Sequence, residues 1–428
     1  MVTQAGQVEL GSLFNQNFMN KTAKIIIGAI IVVILSAGFF AFMIGRKPVA
    51  IVDQAGNSGG FPDMGSISSR ISSSSSSERS FSSRDEDTSK KILTQLTDNA
   101  ISGATYYGTT TVLYMERSTG NIYKINLDGT EKTRLSNTTI PKIFETLWSY
   151  KSDKIMARYF EDADQDDIKL KIKTFTASIS QMFKATSTSG VELKGVALSP
   201  TITEIAVSPS EDKIFYLNET ESGLTEGVVA DFNNKNQKKI FELPFGEFNA
   251  TWSTKDSIAL LTKPSFDTEG FLYFLNSKTG ALIKVLGNVK GLTTIVSPEG
   301  DKIVFSGVGR EGMESKIYNA KNNTFSDLGF LTLADKCAWG KKNKLPTGRM
   351  IYCAVPLGAI GSRQPDDWYK GKESFSDELW SKNLSTGENK IILDSFGADI
   401  ISVSTNTDDG YLIFINKNDG ILWSLKLH

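Results

Sequence analysis

Histidine is almost missing from this chain of 428 residues: the one it has, His428, is also its last residue. Triads of the Ser-His-Asp or Cys-His kind need an imidazole to shuttle the proton, so that chemistry is excluded. Cysteine is nearly as scarce, with Cys337 and Cys353 alone. Two thiols make neither a disulfide framework nor a zinc cluster, and with none near the amino end a lipidated-cysteine anchor is excluded too. An excess of charge of one sign is also lacking, since the formal net charge is −1 with Lys and Arg scattered throughout. No basic footprint for nucleic acid exists, and no glycine loop of the phosphate-cradling type.

Against this stands one long run without charge, Ile25 to Ile44, IIIGAIIVVILSAGFFAFMI, flanked by Lys21, Lys24, Arg46 and Lys47. At about 1.5 Å per residue it spans roughly 30 Å of hydrocarbon. We therefore expect a polar tail at 1–23, a transmembrane helix at 24–46 and a membrane as one partner. Basic residues flank both ends equally, so the positive-inside rule decides little. A short tail, a span and then a long domain is the order of an uncleaved signal anchor. That order places the amino terminus in the cytoplasm and the large domain outside it. From 47 to 90 the composition turns to Gly and Ser, with SSSSSS and then RDEDTS. Such a stretch buries too little apolar surface to offset its ordering entropy and is expected to be a linker of about 35–40 Å root-mean-square reach.

From about 91 to 428 one unit repeats. It is clearest as TIVSPEGDKIVF (Thr294 to Phe305), and returns as ETLWSYKSDKIMARY from Glu145, EIAVSPSEDKIFYL from Glu204, NATWSTKDSIALL from Asn249 and ISVSTNTDDGYLIFI from Ile401. The β-branched and aromatic residues after each turn suit buried strands and show no helical stripe. Ser-Pro-x-x-Asp makes the turn, with Ser149, Ser208, Ser253, Ser297, Gly340 and Ser404 as its shared position. A second hairpin follows each, as in GNIYKINLDGTEKTRL from Gly120 and FLYFLNSKTGALIKVL from Phe271. Four antiparallel strands in roughly 40–45 residues make a propeller blade. The expected fold is all-β, a seven-bladed β-propeller with six or eight blades as the fallback. The last repeat is short by one strand, and the segment Lys91 to Thr97, KILTQLT, is expected to complete it.

The pattern W/V-S-P-x-x-D-K-I-x-aromatic, followed by I-Y-x-x-N-x-x-T-G, resembles the WD40-like repeats of TolB-type β-propellers over roughly Lys91 to Leu427. The resemblance implies the propeller fold. Where that family carries a separate N-terminal domain, this chain has a span and a serine-rich spacer, so no partner carries over with the fold.

In a propeller the loops between second and third strands share one face, and loops on a rigid scaffold commonly carry binding. The expected long ones include Asn218 to Glu226, Ser306 to Ser315 with Arg310, and the longest, Pro356 to Glu378. The last holds Asp366, Asp367, Trp368 and Tyr369, either folded back to cap its blade or facing a partner as aromatic anchors. Asp162, Asp164 and Asp166 alternate in a further loop, as in calcium sites, though Asp167 stands where such loops have glycine; a solvated acidic turn with no cofactor is expected, and calcium is the alternative. Cys337 and Cys353 are expected on adjacent strands, to bridge in an oxidising compartment and otherwise to pack as buried thiols. The function these features suggest is a non-catalytic module at the cell envelope that binds protein or peptide, or acts as a scaffold. The alternative is a carboxylate-based, glycosidase-like hydrolase.

Overall fold

The structure is a computed structural model that describes residues 93–161, 171–184, 190–244, 246–310, 312–341 and 349–427. The chain divides into units 1–84 and 85–428, and all described residues belong to the second. The expected span, the linker, and the loop with Asp162, Asp164 and Asp166 lie outside them. Among the described residues no helix is long and apolar enough to cross a membrane.

The unit is a succession of antiparallel meanders in chain order. The first sheet joins β2 (Ile101–Tyr107), β3 (Thr111–Glu116), β4 (Ile122–Asn126) and β5 (Thr133–Arg134). The next holds β6 (Ile143–Trp148), β7 (Lys154–Glu161), β8 (Lys171–Ser178) and β9 (Gly195–Ala197). It is followed by β10 (Ile202–Val207), β11 (Lys213–Glu219), β12 (Thr225–Asp231) and β13 (Lys238–Leu243). Then come seven strands in one sheet: β14 (Phe248–Trp252), β15 (Ser257–Thr262), β16 (Glu269–Asn276), β17 (Leu282–Val296), β18 (Lys302–Gly309), β19 (Gly312–Asn319) and β20 (Thr324–Asp327). The first part of β17 pairs with β16 and its last part with β18, so one long strand closes one meander and opens the next. The following sheet has β21 (Cys337–Trp339), β22 (Met350–Pro356), β23 (Asp377–Asn383) and β24 (Asn389–Leu393). The last has β25 (Ile400–Thr405), β26 (Tyr411–Asn416) and β27 (Leu422–Lys426), and takes its fourth strand, β1 (Leu93–Gln95), from the other end of the sequence.

That exchange is the closure expected from KILTQLT. Leu93 faces Leu425 and Gln95 faces Trp423, while the Leu422 N–H bonds the Thr97 hydroxyl at 3.0 Å. A buried cluster then joins the two ends of the unit: Leu96, Ile413 and Leu422 pack with Ile101, Val112 and Tyr114. Similar clusters lie between successive meanders, such as Leu113 and Met115 against Ile155 and Ala157, or Leu379 against Ile400 and Leu412. Each completely buried Leu, Ile or Phe contributes about 1.5–3 kcal/mol, so the core consists of the walls between sheets. Opening strands of neighbouring sheets also touch, β2 with β6, β10 with β14 and β21 with β25. At one such approach a Cβ on Gly103 would come 2.3 Å from the Thr146 carbonyl oxygen, which leaves room only for glycine.

Two of the shared turns have the same structure. Ser149 Oγ accepts the Lys154 N–H at 3.0 Å and bonds Asp153 Oδ1 at 2.8 Å; Ser297 does the same with Lys302 and Asp301, both at 3.0 Å. In the last repeat the equivalent residue is not Ser404 but Asn406, whose Oδ1 accepts the N–H groups of Gly410 and Tyr411. A register shift between Ile401 and Ser404 adds length to that strand and moves the turn along. Two expected long loops are also shorter than the sequence suggests. Pairing runs on to Gly309 opposite Gly312, leaving Arg310 at a tight turn, and Glu219 pairs with Thr225. Cys337 and Cys353 face each other across β21 and β22 and form a disulfide.

Candidate functional site

Connections between second and third strands meet on one face. The longest, the insertion between β22 and β23, forms one helical turn, α1 (Asp366–Tyr369). Asp366 Oδ2 accepts the Phe266 N–H from the β15–β16 connection at 2.7 Å, and Lys417 of the β26–β27 connection donates to the Trp368 carbonyl at 2.6 Å. The backbone beneath is a close fit, since a Cβ on Gly291, at φ +62°, would come 2.8 Å from the Gln364 carbonyl oxygen. From the register of β1 against β27, the chain enters the unit on the opposite face.

A buried ionic cluster holds the insertion. Lys336, Asp377 and Asp399 are completely buried, with Lys336 Nζ 2.8 Å from Asp377 and 2.5 Å from Asp399. Asp399 also accepts the Trp368 Nε1–H at 2.9 Å and the Phe375 N–H and Ser374 hydroxyl at 3.2 Å. Lys336 lies 4.8 Å from the Trp368 ring centre and Lys417 4.6 Å from it, so the indole is bracketed by two cations. Burial pushes the Asp377 carboxyl up to about 6, against the pull of Lys336 and the Ile400 N–H.

These contacts place the residues expected to bind. Trp368 is 4% exposed and caps its own sheet with Leu333 and Phe375, so its ring is an anchor for the loop and not a surface contact. Asp366 is buried as well; against the burial, Lys370 and the Phe266 N–H hold its carboxyl below the usual range. Asp367 is half-buried and 3.6 Å from Arg363. Tyr369, 42% exposed, donates its hydroxyl to Asp335 Oδ2, and Arg310 is exposed at its turn. The structure thus brings four of the five together on α1, with the β18–β19 hairpin packed nearby through Met313.

The sequence reading missed a second feature. A cavity of about 590 Å³ is lined by the opening strands, with Glu145, Glu204, Asn249, Thr251, Asp335 and Ser402 among its walls. Both glutamates follow a register shift, between Ile143 and Glu145 and between Ile202 and Glu204, and such bulges re-aim side chains. Arg158, buried, donates to Glu145 Oε2 at 2.8 Å and to the Thr203 carbonyl at 3.0 Å. Glu204 accepts the Ala250 N–H at 3.2 Å; burial, aided by the Glu145 charge, pushes its carboxyl up to about 7. Burial also raises Asp335. A readable signal existed: Glu145 and Glu204 stand at the same offset before Ser149 and Ser208 in consecutive repeats. Among the described residues no group of three or more His, Cys, Asp or Glu side chains could hold a metal ion.

A carboxyl raised in the folded state binds its proton more tightly there than in the unfolded chain, so stability falls as pH rises through the window, here from about 4.5 to about 7. Glu204→Gln is therefore expected to raise Tm at pH 8 and leave it unchanged at pH 4. Equal melting curves of variant and wild type at both pH values would refute this.

No known protein family matches the chain, and no curated protein does. Solved structures do. An oligogalacturonate lyase from Vibrio parahaemolyticus is 9% identical over 80% of this chain and 95% of its own, with a TM-score of 0.54. TolB from Acinetobacter baumannii is 11% identical over 74% of this chain and 63% of its own, at 0.40. The β-propeller domain of the Trilobed protease from Pyrococcus furiosus, described as having an open velcro topology, is 13% identical over 64% and 76%, at 0.42. At such identities the likeness concerns fold alone. The protein is an all-β propeller. Its hairpin repeats resemble those of TolB-type propellers. Similar structures include an enzyme as well as TolB, and a shared fold carries no activity with it.

Proposed function

We propose that the chain is a seven-bladed, non-catalytic propeller, anchored in a membrane by Ile25 to Ile44, that binds a protein or peptide partner, or serves as a scaffold, at the cell envelope. The observation that carries this is the preorganised insertion. Its backbone is pinned from beneath by a buried cluster while Leu357, 54% exposed, and Tyr369 remain at its surface, and the hairpin that carries Arg310 packs on the same cluster as Trp368 through Met313. Fixing a surface before binding removes ordering cost from the complex. The cystine between Cys337 and Cys353 supports a propeller outside the cytoplasm, where disulfides persist. The proposal includes no cofactor, with calcium at Asp162, Asp164 and Asp166 as the alternative to a solvated acidic turn.

Photo-crosslinking tests the face. A benzophenone side chain at position 310 or 357 is expected to capture the same membrane-associated protein, and one at 325, on the outer strand β20, to capture none. Capture from 325 but from neither of the others would show that the wrong surface was chosen. A second reading, carboxylate-based hydrolysis, is favoured by Glu145 and Glu204 sharing one cavity in unlike environments. It requires that glycan hydrolysis be lost in both Glu145→Gln and Glu204→Gln.

A further inference from the structure

The cavity and the insertion are joined at one point. Asp335, in the 3₁₀ turn Ala334–Lys336, lines the cavity, and its Oδ2 accepts the hydroxyl of Tyr369 from α1. The helical turn itself is held: Trp368 is gripped by Asp399 and Lys417, and the Tyr369 N–H bonds the Pro365 carbonyl at 2.9 Å. Its phenol is held far less. It is 42% exposed, packs against Trp368 with ring centres 5.5 Å apart, and is tied to the cavity wall through its hydroxyl. Rotation about its side-chain bonds breaks that tie without disturbing the buried ions beneath.

We propose that Tyr369 is a gate residue: latched to Asp335 it closes the insertion-side mouth of the cavity, and swung outward it admits a lysine or arginine side chain of a peptide partner. This rests on the peptide-binding reading above and deepens it. The geometry selects a cation because the polar side chains of the cavity wall, set among apolar ones such as Leu261 and Ile295, are carboxyls, hydroxyls and one amide. Glu204 is held by a backbone N–H, and Arg158 is already engaged with Glu145 and the Thr203 carbonyl. Once unlatched, Asp335 becomes a third carboxyl facing the guest, so the hydroxyl and the guest compete for the same oxygen. A guest that lacks positive charge gains nothing to offset the lost latch.

The test needs no partner and uses the full chain. Thr251→Cys puts one thiol on the cavity wall, and the native cystine stays buried. Its reaction rate is followed with a cationic reagent, aminoethyl methanethiosulfonate, and with the anionic sulfonatoethyl analogue. We expect the cation to react at least tenfold faster. Adding Tyr369→Ala should speed its reaction a further tenfold or more, and Tyr369→Phe, which removes only the hydroxyl, by a smaller factor. In Asp335→Asn or Glu204→Gln the preference for the cation should shrink. A reporter at Ser326→Cys on exposed β20 should react alike in every background, which separates gating from unfolding. Rates unchanged by both Tyr369 substitutions, or an anion as fast as the cation, would overturn the gate. If crosslinking fails at positions 310 and 357 while the gate behaves as expected, the proposed face is at fault and not the cavity.

Discussion

Replacing Lys336 with methionine is expected to destabilise the protein by about 3–5 kcal/mol, the cost of leaving buried carboxylates without their cation. Asp377 and Asp399 have no exposure to water, and both lie within 2.8 Å of the Lys336 ammonium. Methionine keeps the length and apolar stem of lysine, so packing on Trp368 and Phe375 changes little and the charge is what is lost. The cost should depend on pH in a defined sense. The Asp377 carboxyl is already raised to about 6 with Lys336 present, so stability from this group falls as pH rises between roughly 4 and 6. Without the cation the Asp377 carboxyl takes up its proton more readily, so the variant should lose most at pH 8 and recover part of the loss at pH 5. Urea unfolding at the two pH values measures this. A loss below about 1 kcal/mol at pH 8 would mean that water reaches the cluster.

Deleting Leu93 to Thr97 from the full chain should have a still larger effect, abolishing the cooperative melt. The deletion leaves β27 as an open edge and strips Leu96 from the cluster joining the two ends of the unit. An unpaired, apolar edge invites association between chains. A synthetic peptide of residues 91–99 supplied in trans should restore a melting transition, because the strand is held by pairing and burial and its covalent continuity matters less. Calorimetry with and without the peptide reads the outcome. A deletion variant that melts like the parent would show that the ring needs no strand from its other end.

How much of this could be read beforehand differs by feature. Hairpin repeats were plain, because strand periodicity and the Ser-x-x-x-Asp turn are local properties. KILTQLT was recognised as the missing strand by counting, since an incomplete final sheet demands one. Ser404 looks like the turn residue of the last repeat while Asn406 fills that place, because a bulge adds length without changing the hydrophobic pattern. The glycines around Arg310 look like a long loop in the sequence, whereas they continue as paired strand.

Asp366 to Tyr369 stand out in the sequence as an acidic and aromatic stretch, yet which of their side chains face water is settled by partners far away in sequence. Trp368 is buried through Asp399 and Lys417, and Asp366 through the backbone of Phe266. The sequence by itself determined the local alternation of strand and turn, and therefore the kind of architecture, because these depend on neighbours within one hairpin. Only the tertiary structure decided that Lys336 meets Asp377 and Asp399, and that Glu145, Glu204 and Asp335 share a cavity. Those meetings depend on how separate sheets pack side by side, and charged groups act on one another through space whatever their separation along the chain.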